Sequence, residues 1–344
     1  MVKRFKNLFE SVYSEENLFK AYRKARKGKG KKYYVINFEK NLHFELSKLK
    51  SELKTGNYAP RPLNRFVIHD PKTRVIHAPD FRDRVVHHAI NNILEPIFDR
   101  TFIYDSYASR KRKGTHAALQ RFDAFKKKVS RNGMLVPSAV DNNMACGFVL
   151  KADIKHYFPS VNHAILICLI ERKLSDKKLL TLLKKIIVEY ATEKGRGMPL
   201  GALTSQMFAN IYLNPLDHFV KERLSAKFYL RYLDDFVILH RSRKQLIEWK
   251  SEINTFLVSK LALELHNEKT SIFPMHRGVT LLGFRCFYYF RLPKKYSAGH
   301  FLKRLRKSDK NKAQKIAEGW FAHISWGNTY KLRKKIKTEL IETI

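Results

Sequence analysis

Apolar positions along this chain repeat at two periods, and each change of period predicts a change of element. Leu42, Leu46, Leu49 and Leu53 lie at 4-3-4 spacing, the stripe of a buried helix face, with Gly56 next as a C-terminal cap. The N-terminal third is expected to be mostly helical. Phe66-Val67-Ile68-His69 and Val75-Ile76-His77 are short strand-like runs joined by Asp70-Pro71-Lys72-Thr73-Arg74, which predicts a hairpin with a basic tip. A helix is predicted over Val85 to Phe98, and residues 126–147 read as a polar, irregular connector. Phe148-Val149-Leu150-Lys151-Ala152 is a strand-like run ending at Asp153, and helical patterns continue from Asn162 to Tyr190. After a glycine-marked loop, Gly195 to Gly201, one stripe holds Met207, Phe208, Ile211, Tyr212, Leu216, Phe219 and Val220. That stripe predicts a long helix over 203–224, kinked at Pro215. Phe228 to Tyr232 and Phe236 to Leu239 form two apolar strands around Leu233-Asp234-Asp235. The last 55 residues are basic and expected to be helical. The whole predicts an α+β protein.

Composition adds a partner to this picture. Of 344 residues, 68 are Lys or Arg and 31 are Asp or Glu, a formal net charge of +37. An apolar content of 44 % excludes low-hydrophobicity disorder. So large an excess of one sign repels itself unless a polyanion compensates, and nucleic acid is the leading partner because each neutralised phosphate releases a counterion. The charge is clustered: seven basic residues at 21–32, Arg-Lys-Arg-Lys at 110–113, seven more at 303–315 and five at 331–337. Separated clusters favour a groove that tracks a phosphate backbone, with Arg110, Lys113, Arg304 and Lys307 as candidate contacts. No apolar run approaches the roughly 18 residues of a membrane-spanning helix, and Met1-Val2-Lys3-Arg4-Phe5-Lys6 leads into no apolar signal segment. Cys146, Cys168 and Cys286 are too far apart for a zinc-ligand spacing or a paired framework, which predicts a reducing, cytoplasmic setting without membrane attachment.

The candidate chemistry lies in carboxylates. Asp234 and Asp235 are adjacent at a tight turn between two strands, where like charges repel unless a cation compensates. Hard divalent cations do this well, since they prefer carboxylate oxygens. Asp153 ends another apolar strand 81 residues earlier, and if the strands share a sheet, Asp153 and Asp234 can share a pair of metals. Two metals about 4 Å apart stabilise the attacking and leaving oxygens of an in-line phosphoryl displacement. With a basic groove, this suggests nucleotidyl transfer on a nucleic acid.

In order and spacing, these segments resemble reverse transcriptase motifs. Strand-Asp153 is similar to motif A, Gly197-Met198-Pro199-Leu200-Gly201-Ala202-Leu203-Thr204-Ser205-Gln206 to motif B, and Tyr232-Leu233-Asp234-Asp235 to motif C. Lys269-Thr270 resembles motif D and Leu282-Gly283-Phe284 the primer grip of motif E. Ser106-Tyr107-Ala108-Ser109-Arg110 and Gly114-Thr115-His116-Ala117 resemble a fingers segment of bacterial reverse transcriptases, and the likeness weakens after about residue 290. The resemblance implies a right-hand polymerase, with fingers at 1–147, an antiparallel palm sheet backed by helices at 148–290, and a thumb at 291–344. It implies Mg²⁺ as two ions, or Mn²⁺, on Asp153, Asp234 and the Ile154 carbonyl, with Asp235 either a further ligand or a structural neighbour. Lys72 and Arg74 would hold the incoming triphosphate, Phe158 would stand as a steric gate against a ribose 2′-OH, and Gly201 would let the backbone approach the nucleotide. Lys269 would protonate the leaving pyrophosphate, and Ser205 would cap or pack the next helix.

Motif B narrows the resemblance. Retroviral and group II intron enzymes carry Gln-Gly-x-x-x-Ser-Pro, whereas this chain has Leu200 for the first Gln and Gln206 for the Pro. That pattern is similar to the reverse transcriptases of diversity-generating retroelements, which copy a template RNA with frequent errors at adenines. It implies template RNA, the RNA/cDNA duplex and dNTPs as partners, with a small, basic, pentameric accessory protein. Losing the Gln amide should weaken discrimination by about 0.5–1.5 kcal/mol, the worth of one hydrogen bond. The other readings are a defence-associated or group II-like reverse transcriptase of normal fidelity, a non-catalytic RNA-binding scaffold, and a basic RNA chaperone. Only the polymerases make a metal-dependent product.

Overall fold

The computed structural model describes residues 4–342 apart from 70–72, 192, 295–298, 300, 303–304, 306–307 and 309. In chain order the first elements are helices α1 (Phe9–Tyr13), α2 (Glu15–Arg26), α3 (Tyr33–Lys40) and α4 (Leu42–Thr55). The leucine stripe on α4 is buried at Leu46, Leu49 and Leu53, and Gly56 closes the helix at φ +79° with its N–H on the Leu53 carbonyl. Strands β1 (Asn64–Ile68) and β2 (Arg74–Ala78) pair antiparallel, Ile68 opposite Arg74, as the predicted hairpin requires. Helix α5 (Phe81–Asp99) begins four residues before the predicted start, because the Asp80 carboxylate caps it by accepting the Arg82 N–H at 3.0 Å.

Helix α6 (Thr115–Val129) then runs into the segment expected to be irregular. Its buried face, Ala118, Leu119, Phe122, Phe125 and Val129, carries the helical period through 126–129, and the irregular connector is confined to residues 130–147. Strand β3 (Phe148–Asp153) is succeeded by the single turn α7 (Tyr157–Ser160), α8 (His163–Glu171), α9 (Lys177–Glu189) and α10 (Leu203–His218). Asp176 starts α9 by accepting the Leu179 N–H, and its other oxygen accepts from Leu8 and Phe9 at the start of α1. Burial pushes the Asp176 carboxyl up, but these backbone donors more than offset it and hold the group below the usual carboxylate range. The long helix predicted to 224 stays α-helical only to His218. Pro215 removes a donor from its last turns, and the chain continues as a π turn over Phe219–Arg223.

Strands β4 (Tyr229–Tyr232) and β5 (Asp235–His240), helix α11 (Arg243–Leu261) and strand β6 (Ser271–Pro274) come next. A four-stranded sheet has the order β4-β5-β3-β6, with β4/β5 and β3/β6 antiparallel. Strands β7 (Val279–Leu281), β8 (Phe284–Cys286) and β9 (Arg291–Pro293) form a second, antiparallel sheet. Helices α12 (Lys310–Ile324) and α13 (Tyr330–Glu342) complete the chain. Around them Phe301, Leu305, Ala317 and Ile336 form a small core, with Phe301 stacked on Trp320 at 4.0 Å.

Two compact units divide these elements. One comprises residues 1–110, 153–225 and 252–266, and is helical apart from the β1–β2 hairpin. The other comprises 111–152, 226–251 and 267–344, and carries both larger sheets. Mixed helices with antiparallel sheets match the expected fold class. Among the described residues no helix is long and apolar enough to cross a membrane.

Candidate active site

The acidic turn is the tightest link in the four-stranded sheet. Tyr232 pairs with Asp235, so only Leu233 and Asp234 form the turn, and Leu233 takes the left-handed backbone at φ +56°. Beneath it Arg231 is fully buried and donates from Nη1 to the Leu233 carbonyl at 3.1 Å. The Tyr232 hydroxyl lies 3.4 Å from Thr115 Oγ1 on α6. Asp234 and Asp235 are half-buried. Strand β3 is the neighbour of β5 in the sheet order and ends on the half-buried Asp153, 81 residues before Asp234.

Past Asp153 the chain makes a short bridge to 264–266. The Asp153 carbonyl accepts from His266 N at 2.8 Å, and Lys155 N donates to the Glu264 carbonyl at 3.0 Å. These two bonds flank Ile154 and do not use its carbonyl. Two carboxylates and a main-chain carbonyl are hard oxygen donors, and so small a set leaves coordination positions to substrate oxygens, as Mg²⁺ sites usually do. Among the described residues no group of three or more His, Cys, Asp or Glu side chains could hold a metal. The expected donors, all oxygen, are of the type Mg²⁺ takes and unlike the thiolates and imidazoles of a zinc cage.

The glycine-rich loop is held by its backbone. Gly197 N donates to the Val161 carbonyl at 2.8 Å, Met198 N to the Phe158 carbonyl at 2.9 Å, and the Gly197 carbonyl meets His163 Nε2 at 2.8 Å. The Leu200 carbonyl accepts from His77 N of β2 at 2.9 Å. Gly201 has φ +132°, and a Cβ there would lie 2.8 Å from the His77 carbonyl oxygen. The glycine is required by both backbone conformation and close approach. One residue into α10, the Thr204 hydroxyl meets His87 Nδ1 at 3.0 Å. His87 is fully buried, and burial, together with neighbouring His88, pushes its pKa down to about 3, so the ring is neutral. Leu200 is half-buried, Ser205 buried and Gln206 exposed, with its Oε1 accepting from the Ser109 hydroxyl at 3.0 Å. Phe158, half-buried, sits on α7 with its ring edge-on to Tyr157.

The other candidates are scattered through both units. Arg74 is exposed at the start of β2, while Lys72, Arg304 and Lys307 lie outside the described residues. Lys269 is exposed in the turn before β6. Leu282 and Gly283 form the β7–β8 turn, both with positive φ, and a Cβ on Gly283 would approach His323 Nε2 at 3.1 Å. Phe284 is fully buried, its ring 4.8 Å from that of His323. The half-buried turn, rather than the Phe284 ring, is the more accessible part of that motif. Arg110 serves its own unit: Nε meets Asp99 at 2.6 Å, and Nη1 donates to the Ile103 and Ser106 carbonyls at 2.7 and 3.0 Å. Its side chain is 8 % exposed and lies over Phe102, a geometry that knits a loop and not one that offers a guanidinium to phosphate. Lys113 is half-buried before α6.

Sequence reasoning did not single out Arg231, His77 or His87. Arg231 could have been suspected, as a charged residue at an inward position of an apolar strand. The two histidines carry no such signal, since their roles rest on contacts more than 100 positions away.

Residues 68–286 match the family model described as reverse transcriptase (RNA-dependent DNA polymerase). The chain is 29 % identical over 285 residues to the protein YkfC of Escherichia coli K12, covering 71 % of each. It is 25 % identical over 354 aligned residues to the group II intron-encoded protein LtrA of Lactococcus lactis, covering 81 % of this chain and 56 % of LtrA. Among solved structures it is similar to apo telomerase of Candida tropicalis, with a TM-score of 0.51 at 13 % identity over 88 % of this chain and 67 % of that one. At that identity the likeness is one of fold.

Proposed function

This chain belongs to the reverse transcriptase (RNA-dependent DNA polymerase) family, and we propose that it copies a template RNA into DNA with errors concentrated at template adenines, as in a diversity-generating retroelement. The observation that carries the error-prone part is at Leu200. Its main chain is pinned to His77, so the position is defined, and an aliphatic group stands where an amide donor and acceptor would otherwise be. Gln206, in place of proline, adds a second departure six residues on.

In this reading the right-hand polymerase lobes are fingers at 1–147, palm at 148–290 and thumb at 291–344. The primer 3′-OH attacks the α-phosphate of a dNTP, and pyrophosphate leaves. Asp153, Asp234 and the Ile154 carbonyl would hold divalent ions, with Asp235 beside them; bound there, the ions supply positive charge to the reacting phosphate. Arg74 and Lys72 bind the triphosphate, Lys269 supplies a proton to the departing pyrophosphate, and Phe158 stands against the ribose 2′ position. The Leu282–Gly283 turn steadies the primer. The basic surface takes the template RNA and RNA/cDNA duplex, and a small, basic, pentameric accessory protein completes the assembly. The three cysteines are free, which suits the cytoplasm as the place of action.

A second reading, a group II-like enzyme of normal fidelity, is favoured by the similarity to LtrA over 81 % of the chain. Extension of a DNA primer on an adenine-containing RNA template, with Mg²⁺ and dNTPs and product sequencing, separates the two. Errors concentrated at adenines support the proposal. Evenly low errors support the second reading, and absence of product with native RNA and accessory protein present would overturn both.

A further inference from the structure

We propose that His87, through Thr204, is a positioning residue for the nucleotide-selecting loop at Leu200 and Gly201. This rests on the proposed polymerase reading for its kinetic consequence, but its structural basis does not depend on that reading.

Helix α5 buries Val85, Val86, Ala89, Ile90 and Leu94 along with His87, whose ring lies 5.7 Å from that of Tyr190. The helix thus holds an imidazole at 0 % exposure, and among the described residues its Nε2 has no hydrogen-bond partner. A buried polar atom left unpartnered is costly, and calls for an explanation. Burial keeps the ring uncharged, so it acts as a fixed donor or acceptor according to its tautomer. Its other nitrogen, Nδ1, meets the Thr204 hydroxyl, itself 1 % exposed, at 3.0 Å.

The position of that bond gives the compensation. Strand β2 and helix α5 are separated only by Pro79 and Asp80, so His77 and His87 belong to one continuous segment. His77 takes the Leu200 carbonyl through its backbone N–H, and its own carbonyl leaves no room for a Cβ at 201. His87 takes the side chain of the second residue of α10. One segment therefore grips residues 200 and 204 on either side of the glycine. The first grip is main chain and nearly indifferent to the side chain at 77. The second depends on the identity of two side chains, and is the one a substitution can release.

Three variants test this. Thr204→Val keeps the volume and removes the hydroxyl. His87→Leu removes both ring nitrogens. His87→Asn keeps a polar group near the Nδ1 position. Hydrogen exchange over residues 198–204 reads the loop without reference to activity, and single-nucleotide incorporation reads KM apart from kcat. We expect exchange to rise several-fold in Thr204→Val and His87→Leu, with dNTP KM up about two- to tenfold, the worth of one hydrogen bond, and kcat changed less. His87→Asn should restore most of both, and the double variant should be no worse than either single one. Unchanged exchange and KM in folded Thr204→Val would overturn the proposal, as would an equal loss of kcat in all three variants. If the wild-type protein makes no DNA, the polymerase reading fails and the exchange result alone decides the positioning role.

Discussion

The Leu233–Asp234 turn is held by its own hairpin, whereas the loop from Gly197 to Thr204 is held by residues far away in the chain. In the turn, Tyr232 pairs with Asp235 and Arg231 reaches two residues ahead to the Leu233 carbonyl. In the loop, Leu200 depends on His77 and Thr204 on His87. The difference teaches where chemistry and selectivity reside. In the proposed reading the paired aspartates sit on the short-range geometry of a tight antiparallel hairpin, while Asp153 comes to the same sheet on a strand 81 residues earlier. In that reading the loop that faces the nucleotide is shaped by long-range packing, and small changes there should alter preference more than rate.

The first way to sharpen this contrast is to remove a carboxylate. Asp234→Ala should lower polymerisation by roughly a thousandfold or more, since the stabilisation of developing phosphate charge is lost. Its thermal midpoint should stay within a few degrees of wild type, because the turn is closed by main-chain pairing. A large loss of stability, read by scanning calorimetry, would show that the carboxylate is structural instead.

That half of the molecule was the legible half. Strand, aspartate, strand and paired aspartates leave a local trace, and β3, β4 and β5 begin and end within a residue or two of the expected bounds. The leucine stripe of α4 with its Gly56 cap was equally readable. What was not readable depends on tertiary contact. Asp80 caps α5 and extends it toward β2, which the apolar pattern beginning at Val85 does not reveal. Arg110 stands in a run of basic residues, yet Asp99 and two carbonyls draw it inward. Gly201 looked like a nucleotide-approach glycine, and the nearest backbone to it is that of His77. Charge runs and glycines mark a kind of position, but not the neighbour that position meets.

A methyl group at 201 would strike the loop where it is most dependent on distant support. Gly201→Ala must keep φ near +132° or move away from the His77 carbonyl, at a cost of about 1–3 kcal/mol. A matching fall in urea midpoint should appear together with about a tenfold or greater loss of kcat/KM for dNTP. An unchanged midpoint would mean that the loop yields freely, contrary to its dependence on long-range packing.

Acid should loosen the helical unit first. Burial pushes His87 down to about 3 and His88 to about 4, the latter with help from Lys24 and Lys29, against 6.5 for an unperturbed histidine. In the unfolded chain both rings take up protons below pH 6.5, while the folded protein excludes them. Stability from this source is therefore complete above pH 6.5 and falls as pH drops toward 4, by up to about 1.4 kcal/mol per pH unit for the fully buried His87 and by less for the half-buried, solvent-screened His88. His87→Asn should flatten the dependence of the denaturation midpoint between pH 6 and 4 by about one proton. An identical slope would place the sensitivity elsewhere.

The smallest effect expected bears on the central claim most directly. Wild type and Leu200→Gln are compared by sequencing cDNA made on one adenine-containing RNA template, with Mg²⁺ and equal dNTPs. Restoring the amide on a loop whose main chain is already fixed should leave the extension rate within a few-fold. Misincorporation at template adenines should fall by at most about tenfold, the worth of one hydrogen bond. Adenine errors that are equal in the two proteins would contradict the assignment of selectivity to this loop.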